Sequence, residues 1–144
     1  MATSNAATNY LERRLLHYIF KNNSFRFSSP GDSIYVGLCT AVSAAETGSV
    51  TEASFSGYAR QQVAAASWTT IGADSTDTQT AKNTSAIEFP AKADSGNVTI
   101  THVIIADASS SGNILFVGAL DASKTLAQND IFRINATNLS IELK

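Results

Sequence analysis

The residues best equipped for chemistry lie together in Gly57-Tyr58-Ala59-Arg60-Gln61. A phenol, a guanidinium and an amide follow a glycine, and a small-residue run ending in Trp68 comes after them. A guanidinium carries five N–H donors in a fixed fork, so it can hold a carboxylate and several carbonyls at once. Two uses of Arg60 follow. It can latch a loop to a sheet with Tyr58 packed beneath it, or it can contact another subunit. The candidate structural or interface residues are therefore Tyr58, Arg60, Gln61 and Trp68, together with Leu15 on a helix further up the chain.

Catalysis would need partners that the chain does not offer in a recognisable pattern. Only His17 and His102 could act as a histidine base. His17 lies in a helical stretch with no second metal ligand three or four residues away, and His102 alternates with Val98, Ile100 and Ile104 as a packed strand residue does. There is no Gly-X-Ser-X-Gly elbow and neither of the glycine-rich phosphate loops. Asp74 and Asp77 share a polar loop but lack the glycine and final glutamate of a twelve-residue calcium loop. Cys39 is the only cysteine, which rules out an internal disulfide and any multi-thiolate metal site. Its apolar neighbours mark it as a small core residue. The expectation is a protein with no catalytic residue, cofactor or metal.

The bulk properties agree. The chain has 144 residues, a net charge of −2 and 15% charged residues. That length suits one domain with its own core. No basic stripe interleaved with aromatics marks a nucleic-acid surface. No apolar run is long enough to span a bilayer, and the first twenty residues do not read as a secretory signal. Serine and threonine make up about a quarter of the chain, well above ordinary usage. The triplets Asn83-Thr84-Ser85 and Asn97-Val98-Thr99 are read as chance products of that composition.

The elements that must position these residues can be read from periodicity. Residues 1–8 read as a flexible arm, and 9–144 as one domain that includes a helix over 9–22. Leu11, Leu15, Tyr18 and Ile19 fall on one helical face, which Leu16 and Phe20 widen. Thr8 or Asn9 can cap the start and Asn22-Asn23 can end the helix. The wide face predicts docking on the protein's own sheet or on a sister subunit. After the turn at 28–33 the period becomes two, and "IYVGLCTA" (34–41) reads as a central strand apolar on both faces. Residues 42–56 and 69–82 read as long loops, and Tyr58–Trp68 as an alternating strand. Further strands are expected at 85–93, 97–108, 114–122, 131–134 and 139–143, with 97–108 and 114–122 forming a hairpin. One helix and six to eight strands without βαβ alternation predict a mainly β protein, a single antiparallel sandwich of jelly-roll or immunoglobulin type.

The order of helix, Tyr35-Val36-Gly37-Leu38, Gly57-Tyr58-Ala59-Arg60-Gln61 and Gly118-Ala119-Leu120 resembles a family of small virion proteins of tailed bacteriophages, over about residues 9–143. Members are often labelled tail fibre proteins and are similar to capsid cement, or decoration, proteins. The resemblance implies a structural protein made in the bacterial host cytoplasm and carried in the virion. Its leading implication is a cement protein on the outer capsid surface, a homotrimer bridging major capsid protein subunits. A tail fibre or receptor-binding protein is the alternative, and a cell-wall hydrolase a third.

Overall fold

The computed structural model describes residues 6–21, 34–69 and 79–143. The helix stop at Asn22-Asn23, the turn at 28–33 and the pair Asp74 and Asp77 lie outside the described residues.

The protein is mainly β, with one N-terminal helix. The strands are β1 (Ala6–Ala7), β2 (Ile34–Ala44), β3 (Ser49–Glu52), β4 (Gln61–Val63) and β5 (Gln79–Lys82), then β6 (Ile87–Glu88), β7 (Val98–Ala106), β8 (Ile114–Leu126), β9 (Arg133–Ile134) and β10 (Ser140–Leu143). Helix α1 spans Asn9–Lys21. Six strands form one antiparallel sheet in the order β1-β8-β7-β2-β3, with β4 also pairing with β2. Two ribbons, β5–β10 and β6–β9, complete the fold.

The core lies between the sheet and the ribbons. Val36, Leu38, Val103 and Ile105 from the sheet pack with Ile87, Phe89, Phe132, Ile134 and Leu139 from the ribbons and their flanks. A smaller cluster on the opposite sheet face joins Cys39, Ala45, Ile104 and Val117. Strand β2 is thus buried on both faces over Val36–Cys39, as its apolar pattern there requires. The hairpin of β7 and β8 is present, with a register shift between Ile100 and His102 that bends the pair.

Three expectations are corrected. Residues 42–56 are not a loop: β2 runs on to Ala44, turns at Ala45–Gly48 and pairs back through β3. The strand expected over Tyr58–Trp68 shrinks to Gln61–Val63 and is followed by a 3-10 helix at Ala65–Ser67. Alanine has little β preference and supplies too little apolar area to hold one face against a core. Third, the loop expected over 69–82 ends in a strand, β5 at Gln79–Lys82. Of the two partners expected for α1, its own sheet or a sister subunit, the described helix does not lie along the first. Tyr10 and Leu11 pack against the core, whereas Leu15, Leu16, Ile19 and Phe20 are all exposed.

The start of α1 is nonetheless firmly held. β1 pairs with β8 at Val117 and Phe116, so the part of the expected arm that is described forms a strand. Thr8 follows and is buried, with its N–H donating to Leu115 O at 2.9 Å and its hydroxyl to Ile114 O at 2.5 Å. The same hydroxyl accepts from Leu11 N–H at 3.4 Å, so Thr8 is the N-cap. Asn9 N–H donates to Glu46 O at 2.7 Å.

Candidate functional site

Strands β3 and β4 share one edge of β2 and leave a gap between them. β3 ends at the Cys39–Glu52 pair and β4 at the Val36–Gln61 pair. Residues 53–60 cross that gap. Leu38 O accepts from Ala53 N–H at 2.8 Å, and Leu38 N–H donates to the Tyr58 hydroxyl at 3.0 Å. A side-chain oxygen stands where a strand carbonyl would otherwise be needed, which satisfies a polar group the core would leave dry.

Gly57 sets up this crossing. Its φ is +94°, and a Cβ there would lie 2.8 Å from Ala91 O, so both conformation and space call for glycine. The Tyr58 ring then meets Phe55 edge-on at 5.3 Å and stacks on Phe89 at 6.3 Å. Its hydroxyl donates to Glu52 Oε1 at 2.6 Å.

Arg60 closes the cluster. Its Nε donates to Glu52 Oε1 and its Nη2 to Glu52 Oε2, both at 2.8 Å, a two-pronged pair. Its Nη1 donates to Ala108 O and Ser111 O, each at 2.8 Å. The guanidinium therefore joins the end of β3 to the turn between β7 and β8, and its side chain is only 6% exposed. That turn is itself built on Asp107, which is buried and accepts from Asn113 N–H at 2.7 Å and Asn113 Nδ2 at 2.8 Å. Gly37 makes room underneath: a Cβ there would stand 2.9 Å from both Ile104 Cγ1 and the Tyr58 hydroxyl.

The electrostatics follow from this packing. Burial alone would raise the Glu52 carboxyl, but hydrogen bonds from Arg60 and Tyr58 outweigh it and hold the carboxyl below its ordinary value. Burial, then the bond to Glu52, pushes the Tyr58 phenol well above its usual range. Burial and the nearby Glu52 charge push the Cys39 thiol up to about 12, with Arg60 opposing in part. A thiol so placed holds its proton and is a poor nucleophile. His102 is lowered by desolvation, and its Nδ1 lies 2.8 Å from the Thr101 hydroxyl. Among the described residues no group of three His, Cys, Asp or Glu could hold a metal, and no helix is long and apolar enough to cross a membrane.

The other candidates lie apart from this cluster or at its margin. Gln61 turns its amide to Ala59 O at 2.7 Å. Trp68 packs against the main core and bridges to Asn83. Leu15 is on α1, 47% exposed. Sequence reasoning missed Glu52 and three buried polar anchors: Asn83, Lys92 and Asp107. Lys92 is the least expected of these, its ammonium donating to Asp94 O at 2.6 Å, Asp94 Oδ1 at 3.0 Å and Ser95 O at 3.2 Å.

A second surface feature is a groove of about 590 Å³ between β8 and β10. Phe116, Leu120, Leu139 and Ile141 supply apolar walls, and Asp121 and Glu142 supply acid.

Fold and site together define a mainly β domain with one N-terminal helix. The chain belongs to a bacteriophage virion family: residues 6–142 match the model of the family described as Podophage GP4 fiber I protein gp80. No curated protein matches the chain.

Proposed function

We propose that this chain is a fibre-type structural subunit of the phage virion that acts by adding interface, with α1 as the element that reaches its neighbours. One observation carries the reading. Leu15, Leu16, Ile19 and Phe20 are 47%, 55%, 58% and 73% exposed on a helix whose first turn is fastened to the sheet. A cluster of large apolar side chains in water is unfavourable by itself and marks a surface that another chain covers. The side chains that could do chemistry support the same reading, since Arg60, Glu52 and Tyr58 are engaged with one another and Cys39 is buried. We read the protein as non-enzymatic on that basis, and as a homotrimer because linked copies let modest contacts act together.

The description of the family as a fiber protein supports the fibre reading, which we take to be on the tail side. A second reading, a cement protein that bridges major capsid protein subunits on the outer shell, rests on the shape of the domain. The described residues hold one 13-residue helix, a curled antiparallel sheet and two ribbons, with no heptad stalk. Localising the chain in intact particles by electron microscopy, using a tag at the C-terminus, tests both. Density confined to the tail supports the fibre reading, and icosahedral density on the shell supports the cement reading. Purified particles that lack the chain would overturn both.

A further inference from the structure

We infer that α1 of one copy docks into the β8–β10 groove of a second copy, so that copies join helix to groove. The inference rests on the reading of α1 as an assembly element, but not on where in the virion the chain sits.

Helix and groove are complementary in three respects. The first is apolar patterning. Leu16, Ile19 and Phe20 stand at i, i+3 and i+4, the spacing by which an amphipathic helix fills an apolar groove. Phe116, Leu120 and Ile141 are only partly buried in the groove, so each has surface left to cover. The second is charge. The helix carries Arg13 beside that apolar face and Lys21 at its end against a single acid, Glu12, one turn before Leu16, while Arg14 turns to the Tyr10 ring. The groove carries Asp121 and Glu142, which are exposed and form no ion pair among the described residues. A helix of net positive charge thus meets acidic residues on an apolar groove, the arrangement that steers association. The third is size. Thirteen residues of helix are roughly 20 Å long, and the groove of about 590 Å³ falls in the range that accepts a cluster of side chains.

Connectivity argues for a second copy as the occupant. β1 lines the groove through Ala6 and Ala7, and it runs antiparallel to β8, from Val117 toward Phe116. The chain is therefore leaving the groove when it reaches Thr8. Thr8 then fixes the helix start at Ile114 and Leu115, roughly 16 Å along β8 from Leu120. To fill its own groove, α1 would have to fold back past that anchor, whereas its apolar face is exposed and the groove is open in the same molecule. Helix-to-groove joining is head-to-tail, so it closes into a ring when the rotation permits.

The test is complementation between two broken variants of the purified chain, read by light scattering after size exclusion. Ile19→Asp spoils the helix and leaves the groove. Gly118→Trp fills the groove and leaves the helix; a Cβ at Gly118 meets nothing closer than Val103 Cγ2 at 3.8 Å, so the site admits a side chain. Wild type should form the ring, and each variant alone should associate about tenfold more weakly or worse. Mixed one to one, they should form a dimer through the single intact helix and intact groove. If Gly118→Trp fails to melt cooperatively, the rim variant Asp121→Arg/Glu142→Arg replaces it, since both residues are exposed. A monomeric wild type, a groove variant that assembles normally, or a mixture that forms no dimer each overturns the proposal. A monomer that still enters virions through α1 would overturn helix-to-groove joining while leaving the proposed function standing.

Discussion

The Tyr58 hydroxyl rests on Gly37, 2.9 Å from the point where a Cβ would stand. The two segments Tyr35-Val36-Gly37-Leu38 and Gly57-Tyr58-Ala59-Arg60-Gln61 are thereby one packed unit, with Leu38 N–H on one side of the hydroxyl and Glu52 on the other.

Gly37→Ala should destabilise the domain by about 1–3 kcal/mol, because the methyl group would push on both Ile104 and the Tyr58 hydroxyl. Gly118→Ala is the control. Its nearest neighbour is 3.8 Å away, so its effect should stay within about 0.5 kcal/mol. Urea unfolding of the three proteins compares them directly. Equal midpoints for Gly37→Ala and wild type would show that the cluster does not depend on this close approach.

Arg60→Ala should cost roughly 1.5–3 kcal/mol, since it removes charge-assisted bonds to Glu52 and leaves two turn carbonyls without their donor. Arg60→Lys should recover only part of this, because an ammonium cannot reproduce the two-pronged pair. Thermal melting is the readout. A lysine variant as stable as wild type would show that charge alone suffices.

Much of this architecture was legible from pattern, and the exceptions have physical reasons. The period-two apolar run at Ile34–Ala41 and the hairpin of β7 and β8 announce themselves because burial on a sheet enforces alternation. The cap at Thr8 announces itself because threonine before an amphipathic run satisfies a free N–H. Glu52 does not. It lies in Ser49–Glu52, where Val50 is the only large apolar residue, so nothing local marks a strand. Its partner Arg60 is brought to it only by the way β3 and β4 divide the edge of β2. Lys92 is hidden for a similar reason: the carbonyls that hold its ammonium are collected by a loop, and composition does not foretell them.

Acid should weaken the Glu52 cluster in a definite window. The folded carboxyl lies below its ordinary value of 4.5, so its contribution is complete above about that pH and is lost as pH falls toward the lower folded value. His102 acts in the same direction at higher pH. Its folded value lies below 6.5, so protonation favours the unfolded chain as pH falls from there. Glu52→Gln should flatten the lower part of a stability–pH curve and His102→Gln the upper part. A single variant that flattened both would refute this division.

Cys39 should report unfolding rather than surface chemistry. It is fully buried, and its thiol is pushed up to about 12. Labelling by a disulfide reagent at neutral pH should therefore proceed at the rate of opening and accelerate in Arg60→Ala. Rapid labelling of the native wild type would contradict the burial.

Leu15→Asp should leave melting within about 0.5 kcal/mol of wild type, because the side chain is 47% exposed. Assembly should suffer instead. An unchanged oligomer and normal incorporation into particles would remove α1 from the interface.

The fastening at Thr8 also decides how the domain bears a load. Any pull that a neighbouring subunit exerts through α1 enters the sheet at the bonds from Thr8 to Ile114 and Leu115 and at the two-residue strand behind them. Tension directed along β8 loads those bonds together, in shear, whereas tension directed away from the sheet opens them one after another. Thr8→Ala would remove the hydroxyl tie while sparing the ladder of β7 and β8. In single-molecule pulling with handles at Lys21 and Glu142, that variant should release α1 at lower force, ahead of any event in the sheet. The N-terminal helix would then be the part of the molecule that yields first, a compliant joint on a stiff body.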